Sequence, residues 1–403
     1  MRKNYSLYGL PDEIKFCKLC SISNQRPRSV IEFKNFDNQK KGIQFNSEDI
    51  CEACQYHQTK EKINWKERED KLLKLLDTHR KKNGSGYDCI VPGSGGKDSS
   101  YASHLLKYKY GMNPLTVTWA PHMYTSIGWE NFTNWIHVGG FDNILFTPNG
   151  KLHRLLTKLA FENLLHPFQP FIIGQKIIGP LMAVKYKIPL IFYGENQAEY
   201  GNALEENEYS EMNADFFSKE NDEEIILSGI KLKKIMKDYN YKINDFYPFL
   251  PPNKKDLNDT NIQQRFLGYY IKWDPQECFY YASKNTGFKP NTERTEGSYS
   301  KYSSIDDKID PFHYFCTLIK FGIGRATYDS SQEVRNKKIE RVEAIELIKK
   351  YDNEFPKKYF NEFLDYIKLN EKSFWKIVDK FRSPHLWKKD ENQKWKLTKT
   401  IYY

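Results

Sequence analysis

The 403-residue sequence predicts an α/β protein built on a parallel sheet, with a small cysteine-held ribbon before the sheet and a mostly helical region after it. Three observations carry that prediction. The hexapeptide Ser94-Gly95-Gly96-Lys97-Asp98-Ser99 stands between an apolar run and a helical pattern. Two C-x-x-C pairs lie upstream of it. Apolar strand-like runs then alternate with helical patterns as far as Tyr193, the order expected of right-handed βαβ crossovers.

The hexapeptide carries the chemistry. Its two glycines allow tight turns that aim consecutive backbone N–H groups inward, and the first turn of the following helix adds the positive end of its dipole. Ser94, Gly95, Gly96, Lys97, Asp98 and Ser99 are therefore expected to hold phosphate oxygens, an ordinary Gly-rich turn being the bland alternative. The loop is not G-x-x-x-x-G-K-[ST], because the paired glycines lead directly into Lys-Asp-Ser. It resembles the pyrophosphate loop of the ATP pyrophosphatases, which adenylate a substrate oxygen and release pyrophosphate.

Cys17, Cys20, Cys51 and Cys54 form two knuckles 30 residues apart. Two residues between paired cysteines let each knuckle wrap one edge of a tetrahedron, so a closed Zn²⁺ site of four thiolates is expected, structural because it keeps no open position. Paired disulfides or two redox motifs are the competing readings. Cys89, Cys278 and Cys316 read as buried small apolar residues.

Between the motifs, leucines among charges predict a helix from Trp65 to His79, ended by Asn83-Gly84-Ser85-Gly86. Strands are expected at Tyr87 to Val91, Pro114 to Trp119, Asn143 to Thr147 and Ile188 to Tyr193. Helices are expected from near Ser100, around Asn131 to His137, at Lys151 to Leu165 and at Ile173 to Lys187. The acidic run from Glu205 to Glu224 suggests an exposed insertion or lid. The Ser/Tyr-rich segment Ser298 to Ser304 reads as a loop able to close over a sugar. From Ser331 onward three amphipathic helices are expected, the last capped by Asn370. These readings divide the chain into a zinc ribbon at 1–60, a pyrophosphate-loop domain at 61–250 and a mostly helical substrate-binding region at 251–403.

Composition narrows the class without deciding it. A formal charge of +10, from 62 Lys and Arg against 52 Asp and Glu, suits an enzyme for anionic small molecules as well as a nucleic-acid binder. The charge is dispersed, so nucleic acid is not the expected partner. No run approaches 18 apolar residues and the start carries no signal-peptide core, so neither a membrane partner nor export is expected; the reading is cytoplasmic.

Ligands of parallel sheets lie beyond the carboxyl ends of the strands. Trp119-Ala120-Pro121-His122 would there offer backbone groups or an aromatic wall to adenine, and Tyr193 to Gly201 would bring Glu195 and Glu199. With Asp98 these carboxylates are candidates to hold Mg²⁺ against the phosphates; capping a helix end is their plainer role.

Taken together, PGSGGKDSSYAS at 92–103, TWAPHMYTSIGWENFTNW at 118–135, HPFQPFIIGQK at 166–176, YGENQAEYGN at 193–202, GYYIKWDPQE at 268–277, ERTEGSYSKYSSIDDKID at 293–310 and KFGIGRATYDSSQEVRNKKIERVEAIEL at 320–347 resemble the N-acetyl sugar amidotransferase family nearly end to end. Its members convert acetamido groups of nonulosonic acids and O-antigen sugars to acetamidino groups. The resemblance implies ATP, Mg²⁺ and Zn²⁺ as cofactors, and an O-adenylyl imidate that ammonia attacks. It implies an acetamido sugar, free or nucleotide-activated, as substrate, and a separate glutaminase as nitrogen donor. It also sets Gly174 and Gly194 beside Trp119 among the nucleotide-binding residues. Asp98, Lys97, Glu195 and Arg325 are the catalytic candidates, Arg325 as a guanidinium for pyrophosphate or a sugar carboxylate. His122, His137 and His166 are candidate proton carriers beside their commoner structural role. A tRNA thiolase on the same loop is the second reading, although Cys89, Cys278 and Cys316 form no C-x-x-C pair. A silent scaffold is the third.

Overall fold

A computed structural model describes residues 6–36, 40–80, 86–200 and 202–402, with the backbone alone for Glu199 and Tyr200. The expected helix stop at Asn83 to Ser85 lies outside the described residues. Five parallel strands form the central sheet: β1 (Cys89–Pro92), β2 (Pro114–Trp119), β3 (Asn143–Phe146), β4 (Leu190–Tyr193) and β5 (Gln263–Phe266), in the order β3-β2-β1-β4-β5. Both β1 and β2 are buried along their whole length, which is why they read as continuous apolar runs. Their register sets Cys89 opposite Pro114 and Ile90 opposite Leu115.

The sequence does not predict β5, because Gln263, Gln264 and Arg265 break any apolar alternation. These polar side chains find partners instead. Gln264 reaches the Met212 sulfur and Arg265 the Ser210 hydroxyl. Met212 N–H also donates to the Gln264 carbonyl, and Phe266 N–H to that of Ser210. The acidic run thus covers the sheet edge, which would otherwise present unpaired backbone. Its Glu205, Glu208, Glu211, Glu220, Asp222 and Glu223 remain exposed, as an insertion would leave them.

Helices α1 (Glu52–Lys60), α2 (Trp65–His79), α3 (Lys97–His104), α4 (Ser126–His137), α5 (Gly150–Leu164) and α6 (Gln169–Tyr186) surround the sheet. Asn64 caps α2 by accepting from Glu67 N–H, and Leu72 and Leu76 bury its inner face. The α4 helix starts five residues before its expected beginning at Asn131, because Thr125 accepts from Gly128 N–H and caps it. Helix α6 is apolar nearly all round and lies against β1 and β2. A Cβ on its Gly179 would fall 2.8 Å from the Pro92 ring, so small residues set how closely it packs. No helix among the described residues is long and apolar enough to cross a membrane.

The C-terminal region is helical earlier than its sequence suggests, from Asp310–Phe321 and Arg325–Arg335, with Pro275–Asn285 before them. Pro275 and Pro311 each sit in a first turn, where the missing N–H costs nothing. The three expected amphipathic helices are Arg341–Tyr351, Phe360–Ile367 and Glu371–Lys380, and Asn370 caps the last by accepting from Ser373 N–H at 2.8 Å. One continuous apolar core runs from Tyr8 through α5, α6 and the sheet to Trp387. Fully buried Phe374 stacks on Phe161 of α5 at 5.2 Å and packs against Phe360 at 5.0 Å. Phe374→Ala is expected to cost roughly 3–5 kcal/mol in urea unfolding; a loss under about 1 kcal/mol would mean that these helices contribute little to the common core.

Candidate active site

A cleft of about 520 Å³ opens at the carboxyl ends of β1, β2, β4 and β5, astride the β1–β4 switch in strand order. Its floor is the Ser94–Ser99 loop between β1 and α3. Gly95 takes φ +80°, and a Cβ there would lie 2.8 Å from the Phe132 backbone, so this glycine is required by the fold. Gly96 differs: a Cβ there would meet only the Ser94 hydroxyl, at 3.7 Å, and would instead fill the cradle. Gly96 is the N-cap of α3 and supplies no side-chain acceptor, so no side chain caps the first amides of that helix.

The expected site residues separate into two groups. Ser94, Gly96, Asp98, Ser99, Trp119, Gly194 and Glu195 line the cleft. Asp98 accepts from Trp273 Nε1 at 3.2 Å and is ion-paired with Lys97. Lys97 itself lines a separate small pocket beside Asp274. Burial works against its charge, yet Asp98 lifts its pKa above the ordinary lysine value. Gly174 and Gly194 serve close approach. Cβ atoms there would fall 2.2 Å from the Trp119 ring and 2.4 Å from the Asp98 carbonyl. The first contact fixes Trp119 as a wall, and the second brings Glu195 to the start of α3. Arg325 lies outside the lining, ion-paired to Asp329 at 2.9 Å and stacked on Tyr314 at 4.2 Å. His137 is exposed at the end of α4. The Glu199 side chain lies outside the described residues.

The other half of the cleft is lined by residues for which the sequence predicts no role. Asp306, Asp307, Asp310, His313 and Tyr314 line it from the C-terminal region, and Ser29, Glu32 and Phe33 from the ribbon. The signal was present as SSIDDKID, three carboxylates in one loop. Asp306 accepts from Ser94 of the phosphate loop, although burial raises its pKa. Asp307, 2% exposed, accepts from His122 N–H and from His122 Nδ1, each at 2.7 Å. Burial lifts Asp310 to about 7 against the pull of Arg325. Glu32 pairs with His166 at 3.4 Å, and His166 stacks on His313 at 5.1 Å. Burial lowers Lys176, which faces Glu195 and Glu32.

In the ribbon the four knuckle sulfurs lie within 4.8 Å of one another, with Cys17–Cys54 and Cys20–Cys51 each at 3.8 Å. That spacing is the edge of a tetrahedron whose metal–sulfur distance is about 2.3 Å, so the thiols fit zinc. Arg341 donates to the carbonyls of Cys17 and Cys20, tying the knuckle to the C-terminal helices. Cys89, Cys278 and Cys316 are buried, and burial pushes all three thiols up, away from the reactive thiolate.

Fold and cleft define a parallel-sheet α/β protein with a Gly-rich loop at the cleft floor, a cysteine ribbon and a helical C-terminal region. Residues 296–402 match the family model of the LPS biosynthesis protein WbpG-like, C-terminal domain. The uncharacterized protein MJ1599 of Methanocaldococcus jannaschii is 43% identical over 82 residues, 19% of this chain and 27% of that protein, so the chain spans about a quarter of that relative. Among solved structures, NMN synthetase from Francisella tularensis aligns with a TM-score of 0.34 at 13% identity over 76% of this chain and 98% of its own. The NH3-dependent NAD synthetase from Campylobacter jejuni aligns with a TM-score of 0.27 at 12% identity over 46% and 77%. The family-model match covers the C-terminal quarter of the chain, which holds the motif at 320–347 and most of that at 293–310.

Asp310 yields a pH prediction. From about pH 4 to 7 the folded protein keeps a proton on Asp310 that the unfolded chain has lost, so this group's contribution to stability falls as pH rises through that window. Asp310→Asn has no such proton to lose. Its melting temperature is expected to gain on the parent's between pH 5 and pH 8, and a gap independent of pH would contradict the burial of an ionisable Asp310.

Proposed function

We propose that the chain is an ATP-dependent amidotransferase that converts the acetamido group of a bacterial surface sugar to an acetamidino group. The observation that carries the reading is one cleft with two origins. The pyrophosphate loop forms its floor, and the WbpG-like domain, whose family model names lipopolysaccharide biosynthesis, supplies Asp306, Asp307, Asp310, His313 and Tyr314 to the opposite wall.

The chemistry follows from that layout. An acetamido oxygen is a poor leaving group until it attacks the α-phosphorus of ATP, forming an O-adenylyl imidate as pyrophosphate departs. The amides of Gly96 to Ser99 would receive the departing charge, because the N-cap leaves them without side-chain acceptors. Asp98 and Glu195 would hold Mg²⁺, which withdraws charge from the phosphates. Ammonia then adds to the imidate carbon, one proton leaves the nitrogen, and the carbon–oxygen bond to AMP breaks. Trp119 and Phe171 exclude water from the floor, protecting the imidate from hydrolysis. A separate glutaminase would provide the ammonia.

Mass spectrometry tests the reaction. With ATP, Mg²⁺ and ammonium, one sugar from a panel of acetamido nonulosonic acids and nucleotide-linked acetamido sugars should emerge about 1 Da lighter, with equal AMP and pyrophosphate. Gly96→Ala is expected to keep its melting temperature and lose at least about a hundredfold in turnover. AMP formation on adding tRNA, with no sugar altered, would replace the reading with RNA modification.

The ribbon makes a separate prediction. Purified protein should carry one Zn²⁺ per chain, and stripping it with a chelator should lower the melting temperature as the Arg341 contacts loosen. Metal-free protein with an unchanged melting temperature would remove zinc from the structural account.

A further inference from the structure

The C-terminal domain holds a second cavity, about 690 Å³, within the size range of small-molecule sites. It is separate from the cleft. On helix Asp310–Phe321, Asp310, His313 and Tyr314 face the cleft, whereas Phe315, Leu318 and Ile319 line the second cavity. Helical spacing puts these two sets on different faces of the same helix.

Three tryptophans, Trp375, Trp387 and Trp395, share its wall with Arg382. The Arg382 side chain is only 8% exposed. Its Nε is held by Asp379 at 3.0 Å, and its guanidinium stacks on Trp387 at 4.5 Å and on Trp395 at 5.3 Å. Nη1 nonetheless has no hydrogen-bond partner among the described residues, and neither does the buried Thr400 hydroxyl in the same cavity. Burial lowers the Arg382 pKa despite Asp379, as expected of a charge that is incompletely compensated. Unpaired buried donors are costly and therefore rare, and two in one cavity point to a missing acceptor.

The lining defines the ligand. The half-buried Trp375 and Trp395 add apolar ring surface for the C–H face of a pyranose, and Thr400 and Asn353, whose amide also reaches the Tyr402 hydroxyl, offer hydroxyl and amide partners for sugar hydroxyls. The rim lysines are committed elsewhere, Lys396 to Asp390 at 3.1 Å and Lys399 to the Ile14 carbonyl at 2.7 Å. The cavity therefore offers one guanidinium: its Nε side is paired with Asp379, its Nη1 edge is left to donate to a single carboxylate oxygen, and it lacks the charge a phosphate would need. We propose that this cavity is a second carbohydrate site, distinct from the ATP cleft, which binds a sugar acid through Arg382 and the tryptophans around it.

Isothermal titration calorimetry with glucuronate, galacturonate and N-acetylneuraminate tests this on the full chain, with glucose and acetate as the neutral-sugar and sugarless-acid controls. At least one sugar acid should bind, neither control should match it, and affinity should fall at least about tenfold in Arg382→Gln and in Trp395→Ala. Arg382→Lys, which keeps the charge, should lose less. Circular dichroism confirms that each variant is folded. Gly96→Ala, which alters the other cleft, should keep the affinity. Binding unaffected by Arg382→Gln, equal binding of glucose, or no heat from any of the three acids overturns the proposal.

Discussion

The buried carboxylate of Asp307 is the contact on which the cleft depends. It accepts from the backbone and ring of His122, from Met123 N–H and from Ile309 N–H, so one side chain binds the loop after β2 to the loop that opens helix Asp310–Phe321. The neighbouring backbone reinforces it, with Thr125 N–H donating to the Asp306 carbonyl and Lys308 N–H to that of Met123. A carboxylate 2% exposed is tolerable only because its acceptor capacity is so fully used. Remove it, and only the backbone contacts of Thr125 and Lys308 and the Thr125 hydroxyl remain to hold Asp306 against Ser94.

The same logic extends to the chain ends. Ribbon, sheet and C-terminal helices do not form separate cores. Ile323 packs among the ribbon cysteines, Ser21 contacts Ser331 at 2.9 Å, and Tyr8 donates to the Phe381 carbonyl. Glu32 enters the cleft because the ribbon is held in this way, with His166 and Gln169 as its local partners. Metal in the knuckle would thus act on the cleft through position alone, since four thiolates leave no coordination site for a reactant.

What the sequence disclosed follows from how local each signal is. The α2 helix and β2 match their expected limits because leucine spacing and an unbroken apolar run need no distant partner to be read. The placement of the Gly-rich loop between β1 and α3 was legible for the same reason. β5 was not, since the partners that Gln264 and Arg265 find lie at residues 210–212, some fifty positions away. The acidic half of the cleft was hidden likewise: Asp306, Asp307 and Asp310 look like an exposed loop until His122, Ser94 and Arg325 are placed around them. Arg325 was visible as a cation, but only the fold shows its commitment to Asp329.

Two adjacent glycines show why a motif must be read position by position. Gly95 has a left-handed backbone pressed on the Phe132 main chain, so its identity is dictated by folding. Gly96 has extended backbone that any residue adopts and open space ahead of it, so folding alone would accept alanine there. Asparagine, threonine or aspartate caps the starts of α2, α4, α5 and helix Pro275–Asn285, satisfying their first amides internally. At α3 a glycine in that place gives up the cap and the side chain together. Such a choice weakens the isolated helix and gains nothing for packing. In the proposed reaction phosphate oxygens would take the place of the missing cap, and Gly96 would then be the position in this loop where binding and folding make separable demands.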